Sequence, residues 1–255
     1  MEDHKARHGR WRGRFYVRTL PAVGDAFVLS GDEGAHAAGS RRAAVGDRLI
    51  LFDGSGSDLE CTVTQVTRGR VSAVCETLRQ VGPPLSVPVT CMTALPKGRR
   101  ADRIVEQCAQ LGVWRLVPVE FGRSIVRPAV SWPKSSMRFE RLAVEAAKQS
   151  GSSTIMQIAA PMTLEDLVLQ ETAGLLLAGD PTARRGAVQV LDAGWPFEQL
   201  TYLVGPEGGL STEEMELVAR AGFQGVRLTA TTLRVETACA AFAAVAAAFV
   251  CGRSP

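Results

Sequence analysis

Apolar and polar positions follow two different rhythms along this chain. In residues 15–81 the apolar positions come in short runs, rich in β-branched residues and separated by Gly, Asp and Ser. Runs of this length and spacing are typical of a small β-barrel. The predicted strands are 26–29, 48–52, 59–66 and 70–77. The stretch Val81-Gly82-Pro83-Pro84 then predicts a stiff linker.

After this linker, strand-like and helix-like stretches alternate, which predicts an α/β domain around a largely parallel sheet. The predicted strands are 87–95, 116–119, 155–158, 174–178, 200–204 and 225–228. The predicted helices are 99–111, 137–150, 164–170, 213–221 and 235–250. The last of these is almost wholly apolar, which indicates burial, either inside a monomer or at a dimer interface.

Composition narrows the class of protein. The 255 residues are 46% hydrophobic and 22% charged, with 29 basic against 26 acidic residues, values typical of a globular protein. Six cysteines form no C-x-x-C pair, so we expect reduced thiols and no metal site. The longest uncharged apolar run, 238–251, is shorter than the roughly 20 residues that span a membrane. With no apolar signal core at its start, the chain is predicted to be cytoplasmic.

The most informative segment lies between a predicted strand and a predicted helix. It reads Gly205-Pro206-Glu207-Gly208-Gly209-Leu210-Ser211, and Glu214 follows Ser211 at the spacing of a capping box. Glycines let a backbone approach a ligand closely, and ligands of open α/β sheets bind beyond the carboxyl ends of strands. A tight turn without a ligand explains the spacing equally well.

Two further segments have the same strand-to-helix context. Residues 229–237 end in Arg234, Glu236 and Thr237, which are either site residues or an ordinary surface pair at a helix start. Lys97, in the segment 94–100, belongs to a group of cations that suits a phosphate or carboxylate, although solvated helix-start charges are commoner.

The first eighteen residues interleave basic and aromatic side chains. Such a stretch suits an RNA backbone and its unstacked bases, and a frayed soluble terminus is the alternative. Its members are Lys5, Arg7, Arg10, Trp11, Arg12, Arg14, Phe15, Tyr16 and Arg18.

The residues around both late loops resemble a known family. The runs Leu203-Val204-Gly205-Pro206-Glu207-Gly208-Gly209-Leu210 and Leu233-Arg234-Val235-Glu236-Thr237-Ala238 are similar to two signatures of the RsmE family, the small-subunit ribosomal RNA uridine N3-methyltransferases of the SPOUT class. Other matches extend over most of the chain, among them Arg14-Phe15-Tyr16, Leu95-Pro96-Lys97 and Arg123-Ser124.

The resemblance implies a basic arm (1–13), a PUA-like β-barrel that holds RNA (14–82) and a SPOUT-type α/β domain with a C-terminal trefoil knot (83–255). It implies an S-adenosyl-L-methionine-dependent enzyme that methylates N3 of a uridine in 16S ribosomal RNA on the 30S subunit. A homodimer, a role in ribosome biogenesis and no need for a metal or a membrane are implied as well.

The resemblance also implies roles for individual residues. Arg234 stabilises the uridine anion, and Glu236 accepts the N3 proton or orients Arg234. Cofactor binding falls to Leu177, Leu203, Val204, Gly205, Glu207, Gly208, Gly209, Leu228, Thr229, Leu233 and Thr237. RNA binding falls to Arg14, Tyr16, Arg42, Lys97 and Arg123.

Three positions depart from the family pattern where arginines are usual. They lie in the stretches 39–42, 150–152 and 228–233. The departures leave two rivals open: a non-catalytic ribosome-assembly factor, and a SPOUT methyltransferase with another RNA target.

Overall fold

The computed structural model describes residues 9–169 and 173–253, so Lys5 and Arg7 of the predicted basic arm lie outside the described residues. The chain divides into two compact units. One takes the chain up to Pro83 together with Gly151–Thr154, and the other takes Pro84–Ser150 and the chain from Ile155 onward. None of the described helices combines the length and the apolar character that crossing a membrane requires.

The first unit is a five-stranded sheet with a short helical insertion. Its strands are β1 (Trp11–Tyr16), β2 (Ala26–Leu29), β3 (Arg48–Phe52), β4 (Ser57–Thr67) and β5 (Arg70–Gln80). They lie in the order β1-β3-β4-β5-β2, where β1 pairs with β3 in parallel and the other pairs are antiparallel. Helix α1 (Gly31–Ala35) continues into a π-helical turn, His36–Ser40, between β2 and β3.

Alternation along these strands buries one face of the sheet, where Phe15, Leu49, Leu51 and Leu59 form a core. On the other face the Arg14 guanidinium donates to both carboxylate oxygens of Asp58, at 2.6 and 2.7 Å. Ser153 also donates to Asp58, at 2.6 Å. The four-residue segment Gly151–Thr154 is therefore joined to this sheet by buried polar bonds.

The second unit is an α/β structure, which confirms the predicted fold class. Its strands are β6 (Val89–Thr93), β7 (Arg115–Glu120), β8 (Gln157–Ile158), β9 (Met162–Thr163), β10 (Leu175–Gly179), β11 (Leu200–Val204) and β12 (Gln224–Val226). Its helices are α2 (Arg99–Gln110), α3 (Pro128–Ser150), α4 (Leu164–Leu169), α5 (Ala187–Gly194), α6 (Thr212–Arg220) and α7 (Val235–Cys251).

All described strand pairs of this sheet are parallel, in the order β12-β10-β11-β6-β7-β8, and β9 pairs with the end of β7. Successive residues of β11 point to opposite faces. Tyr202 packs into a core shared with α2, α3, α5 and α7, and Leu203 packs into a second core shared with α4 and α6. Both faces of the sheet are thus covered by helices, as parallel sheets require.

Several elements differ from the sequence prediction. Strand β1 carries a register irregularity between Trp11 and Arg14, which breaks the simple alternation by which strands are recognised. Helix α3 begins at Pro128 and contains Pro133, whereas the prediction begins at residue 137 because proline is normally a helix breaker. Helix α5 has no counterpart in the prediction.

Candidate active site at the carboxyl edge of the parallel sheet

Two predicted loops lie at the carboxyl ends of strands in the second unit. The glycine loop, residues 205–211, follows β11, and the second loop, residues 227–234, follows β12. Strand β10 pairs with both of these strands, and all three run parallel. The two loops therefore emerge at the same edge of the sheet, where α/β proteins bind their ligands.

The glycine loop ends in the predicted capping box, which the structure confirms. The Glu214 backbone N–H donates to Ser211 Oγ at 3.2 Å, and the Ser211 N–H donates to Glu214 Oε2 at 2.7 Å. This arrangement fixes the start of α6 by satisfying N–H groups that the helix itself cannot use.

Side chains from two other segments hold the glycine loop. Arg123, in the turn after β7, donates from Nη1 to the carbonyl oxygens of Gly208 at 3.0 Å and Leu210 at 3.4 Å. Glu214 accepts the Gly122 N–H at 2.7 Å through its other oxygen, which ties the same turn to α6. Arg100, at the start of α2, pairs with Glu207 at 2.8 Å.

Each glycine of this loop is required for a different structural reason. A Cβ at Gly205 would lie 2.2 Å from Leu210 Cδ1, so any side chain there would force the Leu210 side chain to move. A Cβ at Gly208 would lie 3.3 Å from Arg123 Cβ, a tight contact. Gly209 has φ of +68°, a conformation that other residues rarely adopt, and opens onto free space.

The second loop ends in a buried carboxylate. Glu236, in the first turn of α7, is 7% exposed, and its Oε2 has no hydrogen-bond partner within the described chain. The start of α7 is held in place, because Tyr202 donates its hydroxyl to the Cys239 carbonyl at 3.1 Å and the Cys239 thiol contacts Thr93 at 3.2 Å. A buried polar atom without a partner is costly and marks a place where a ligand can supply the missing bond.

Arg234 immediately precedes α7 and has an exposed side chain. No ion pair joins it to Glu236 in the described structure. The hypothesis that Glu236 orients Arg234 thus lacks a contact to support it. The two residues instead present one exposed cation and one buried anion at the same helix end.

Sequence families match both units of this chain. A family described as RNA methyltransferase domain matches residues 83–247, and one described as RNA methyltransferase PUA domain matches 29–75. Ribosomal RNA small subunit methyltransferase E of Mycobacterium bovis is 34% identical over 235 residues, which cover 89% of this chain and 87% of that protein. The chain belongs to the ribosomal RNA small subunit methyltransferase E family.

Other relatives agree with this assignment. Ribosomal RNA small subunit methyltransferase E of Bacillus subtilis is 25% identical over 83% of this chain and 86% of its own. A crystal structure of that enzyme from Neisseria gonorrhoeae, bound to S-adenosyl methionine, has a TM-score of 0.80 and 26% identity over 91% of this chain and 95% of its own. The resemblance drawn from the late motifs is confirmed, as is the order of a PUA-like unit before an RNA methyltransferase domain.

With the family established, the predicted cofactor-binding residues fall into two groups. The glycine loop and the second loop bring Gly205, Glu207, Gly208, Gly209, Leu228, Thr229 and Leu233 to the carboxyl edge, and Thr237 lies in the first turn of α7. The side chains of Leu177, Leu203 and Val204 are instead buried in the two cores. The side chains of these three residues therefore serve packing in this structure.

The predicted RNA-binding residues of this methyltransferase differ in how exposed their side chains are and in what they contact. Arg42 and Lys97 have exposed side chains, and Lys97 lines a cavity of about 200 Å³ with Arg138 and Phe139. Arg123 binds carbonyls of the glycine loop. Tyr16 is half-buried against Phe52.

Arg14 already has partners, because its side chain is 14% exposed and its Nη1 and Nη2 atoms donate to Asp58 and to the segment Gly151–Thr154, while its Nε is buried without a hydrogen-bond partner in the described chain. A phosphate would have to displace that ion pair, so the position of Arg14 fits a structural role.

Sequence reasoning placed Glu214 in the capping box and Arg100 in the cationic segment 94–100, but it missed the contacts that they make at this edge, and it missed Asp180 altogether. Arg100 and Glu214 contact the glycine loop or the turn beside it, and Asp180 follows β10 directly, where it caps its own loop through Thr182. A Cβ at Gly225 would lie 3.4 Å from Asp180 Oδ2. The Gly179-Asp180-Pro181 sequence after an apolar strand is the signal that could have found this loop.

Proposed function

We propose that this chain transfers a methyl group from S-adenosylmethionine to N3 of a uridine in small-subunit ribosomal RNA. Family membership supports RNA methylation. The observation that carries the position of transfer is the buried, unpartnered Oε2 of Glu236 at the edge of the sheet. Transfer to N3 requires a proton acceptor, because uracil N3 carries a hydrogen.

The residues at the carboxyl edge fit this cofactor. Gly205, Gly208 and Gly209 keep the backbone of the glycine loop accessible, and Gly209 opens onto free space. S-adenosylmethionine carries a sulfonium charge, and Glu236 at the start of α7 provides a carboxyl group at this edge with an oxygen that is unpartnered within the described chain, whereas Glu207 is already paired with Arg100. The related Neisseria gonorrhoeae structure, in which that cofactor is bound, supports the same choice for this chain.

When bound, the cofactor supplies an electrophilic methyl group. The two loops of this chain bind and orient it, and holding the reacting atoms in line is itself a large part of the rate enhancement. The uracil N3 proton passes to Glu236 Oε2, an acceptor with no other bond to give up. Loss of this proton would leave negative charge on the base, which the exposed guanidinium of Arg234 stabilises. The N3 electron pair would then bond to the methyl carbon while the C–S bond breaks with its electron pair staying on sulfur, and S-adenosylhomocysteine would leave.

The target base must be out of its helix for this chemistry. N3 lies on the Watson–Crick edge, which pairing hides, so the uridine is flipped or already unpaired when it enters the site. The homodimer, the trefoil knot and the domain boundaries implied by the family resemblance stay predictions, as does the cytoplasmic location expected from the sequence.

The test is methyl transfer from labelled S-adenosylmethionine to small ribosomal subunits that lack the modification, followed by mass spectrometry of the nucleosides. Label in 3-methyluridine is the expected result. Label in another nucleoside contradicts the N3 assignment and leaves the fold and donor in place. Absence of label together with absence of cofactor binding contradicts the whole proposal and favours a non-catalytic assembly factor.

A further inference from the structure

The outer face of the first unit's sheet carries two rows in which an arginine lies over an aromatic ring. In one row the Arg14 guanidinium lies 5.0 Å from the centre of the Phe52 ring. The segment Gly151–Thr154 bonds to this row through Ser153, and both Phe52 and Asp58 are buried. This row is closed to any large ligand.

The second row remains open. The Arg48 guanidinium lies 4.6 Å from the centre of the Trp11 ring, and the two residues are register partners on β3 and β1. Trp11 is 50% exposed, although a tryptophan ordinarily buries most of its ring. Half of a large aromatic surface is therefore available on this face.

A buried carboxylate fixes the position of Arg48 in the second row, which consists of Trp11 and Arg48. Glu60, whose side chain is 7% exposed, accepts from Arg48 at 2.6 Å and pairs with Arg79 at 2.8 Å. Two guanidinium groups share one carboxylate, so the row keeps a net positive charge. Because the Arg48 side chain is fixed by this pair, the Trp11–Arg48 arrangement is present before any ligand arrives.

We propose that Trp11, supported by Arg48, is a stacking site for an unpaired base of the RNA substrate. The inference rests on the proposed function for the presence of RNA, and it adds a contact outside the methyl-transfer site. Proteins recognise single-stranded RNA by stacking bases on aromatic rings and on arginine planes, with cations nearby for the backbone. Trp11 offers the ring, and Arg48 and Arg79 offer the charge.

The test measures the affinity of the full chain for a single-stranded oligouridine by fluorescence anisotropy. We expect W11A to raise Kd at least about fivefold, since one stacked base contributes on the order of 1–3 kcal/mol. W11F keeps a ring and should recover part of the loss. The matched control is W114A, which removes a tryptophan that is 39% exposed in the other unit. It should leave Kd unchanged.

Salt dependence separates stacking from charge. Stacking releases no counterions, so W11A should keep the wild-type slope of log K against log salt, whereas loss of a phosphate contact lowers the slope by about 1. Wild-type tryptophan fluorescence should be quenched by the oligonucleotide, and W11F should lose most of this quenching. A wild-type Kd for W11A, an equal loss in W114A, or a flattened slope in W11A overturns the proposal.

Methyl transfer by the wild-type chain, measured in parallel, distinguishes the two proposals. If W11A loses RNA affinity but the wild-type chain transfers no methyl group, the stacking site stands and the proposed function fails. If the wild-type chain methylates the subunit and W11A binds RNA normally, the proposed function stands and the stacking site fails.

Discussion

The two loops at the carboxyl edge of the parallel sheet are held in opposite ways. The glycine loop (residues 205–211) receives bonds from Arg123 and Arg100, and its capping box fixes its end. In the second loop (residues 227–234) backbone bonds fix the beginning at Arg227, and the one described side-chain bond beyond it runs from Thr229 to the Thr231 carbonyl at 2.6 Å. The glycine loop is thus a preformed cradle, meaning a backbone that other residues already hold in place. The second loop leaves its charged groups unengaged.

This difference assigns different tasks to the two loops. A ligand that meets a preformed backbone loses little free energy in ordering it, so the glycine loop should contribute mainly to cofactor affinity. Groups that have no partner in the protein can act on the reacting atoms without first breaking a bond. The second loop and the helix start after it should therefore contribute mainly to the rate of transfer.

The largest effect should come from the buried carboxylate. We expect E236Q to lower kcat about a hundredfold or more, as loss of a general base does, while the Kd for S-adenosylmethionine changes little. Its melting temperature should equal or exceed that of the wild type, because the substitution removes a buried, incompletely paired charge. Single-turnover transfer and calorimetry check both points.

The exposed Glu216 of α6 provides the matched control for this substitution, and E216Q should transfer methyl groups at the wild-type rate. A wild-type rate in E236Q would exclude Glu236 as the proton acceptor.

The second-largest effect should come from substitution of Gly205, the glycine that Leu210 packs against. G205V places a side chain where a Cβ alone would be 2.2 Å from Leu210 Cδ1. Overpacking of this kind costs about 1–3 kcal/mol, so the Leu210 side chain should move and the cofactor Kd should rise about tenfold or more. Calorimetry checks this, with G39V as control, since a Cβ at Gly39 meets nothing within 4 Å. Equal cofactor affinity in G205V and wild type would refute the preformed cradle.

Removal of the arginine that holds the glycine loop should have a moderate effect. R123A loses two hydrogen bonds to loop carbonyls, each worth about 0.5–1.5 kcal/mol, so the cofactor Kd should rise about five- to tenfold. The kcat at saturating cofactor should change little, and R123K should restore part of the affinity.

R127A is the matched control for R123A, because Arg127 is 55% exposed and lies 3.8 Å from its partner Glu120. If R123A leaves cofactor binding intact but weakens RNA binding, Arg123 binds RNA, as the sequence predicts, and does not hold the glycine loop for the cofactor.

The smallest effect should come from the exposed pair Arg100–Glu207, whose side chains are 36% and 32% exposed. Exposed pairs contribute about 0–1 kcal/mol, so R100A should change the cofactor Kd by a few-fold at most, and less at high salt. A double-mutant cycle with E207Q measures the coupling. Strong coupling that persists at high salt would show that this pair, too, shapes the cradle.

Much of this architecture follows from local sequence. The strand at 48–52 and the strand at 200–204 coincide with β3 and β11, because uninterrupted apolar runs between turn residues leave little choice. The capping box at Ser211 and Glu214 was predictable for the same reason, since its partners are three residues apart. Both late loops were therefore placed correctly at strand ends.

The partners of long charged side chains were not predictable in this way. Arg14 bonds to Asp58, 44 residues away, and Arg123 bonds to Gly208, 85 residues away. Sequence shows that these side chains are cationic, but tertiary structure alone decides whether a cation meets a protein carboxylate, a carbonyl or solvent. The prediction that Arg14 and Arg123 bind RNA therefore rests on their charge alone.

The joining of Gly151–Thr154 to the first unit has a consequence for biosynthesis. Ser153 lies 95 residues after Asp58, to which it donates. At roughly 5–20 residues per second, a ribosome takes about 5–20 s to add that length of chain. Until then the nascent first unit lacks four of its residues, and the Arg14–Asp58 pair is exposed to water. The first unit to be synthesised is thus completed only after a large part of the second has been made.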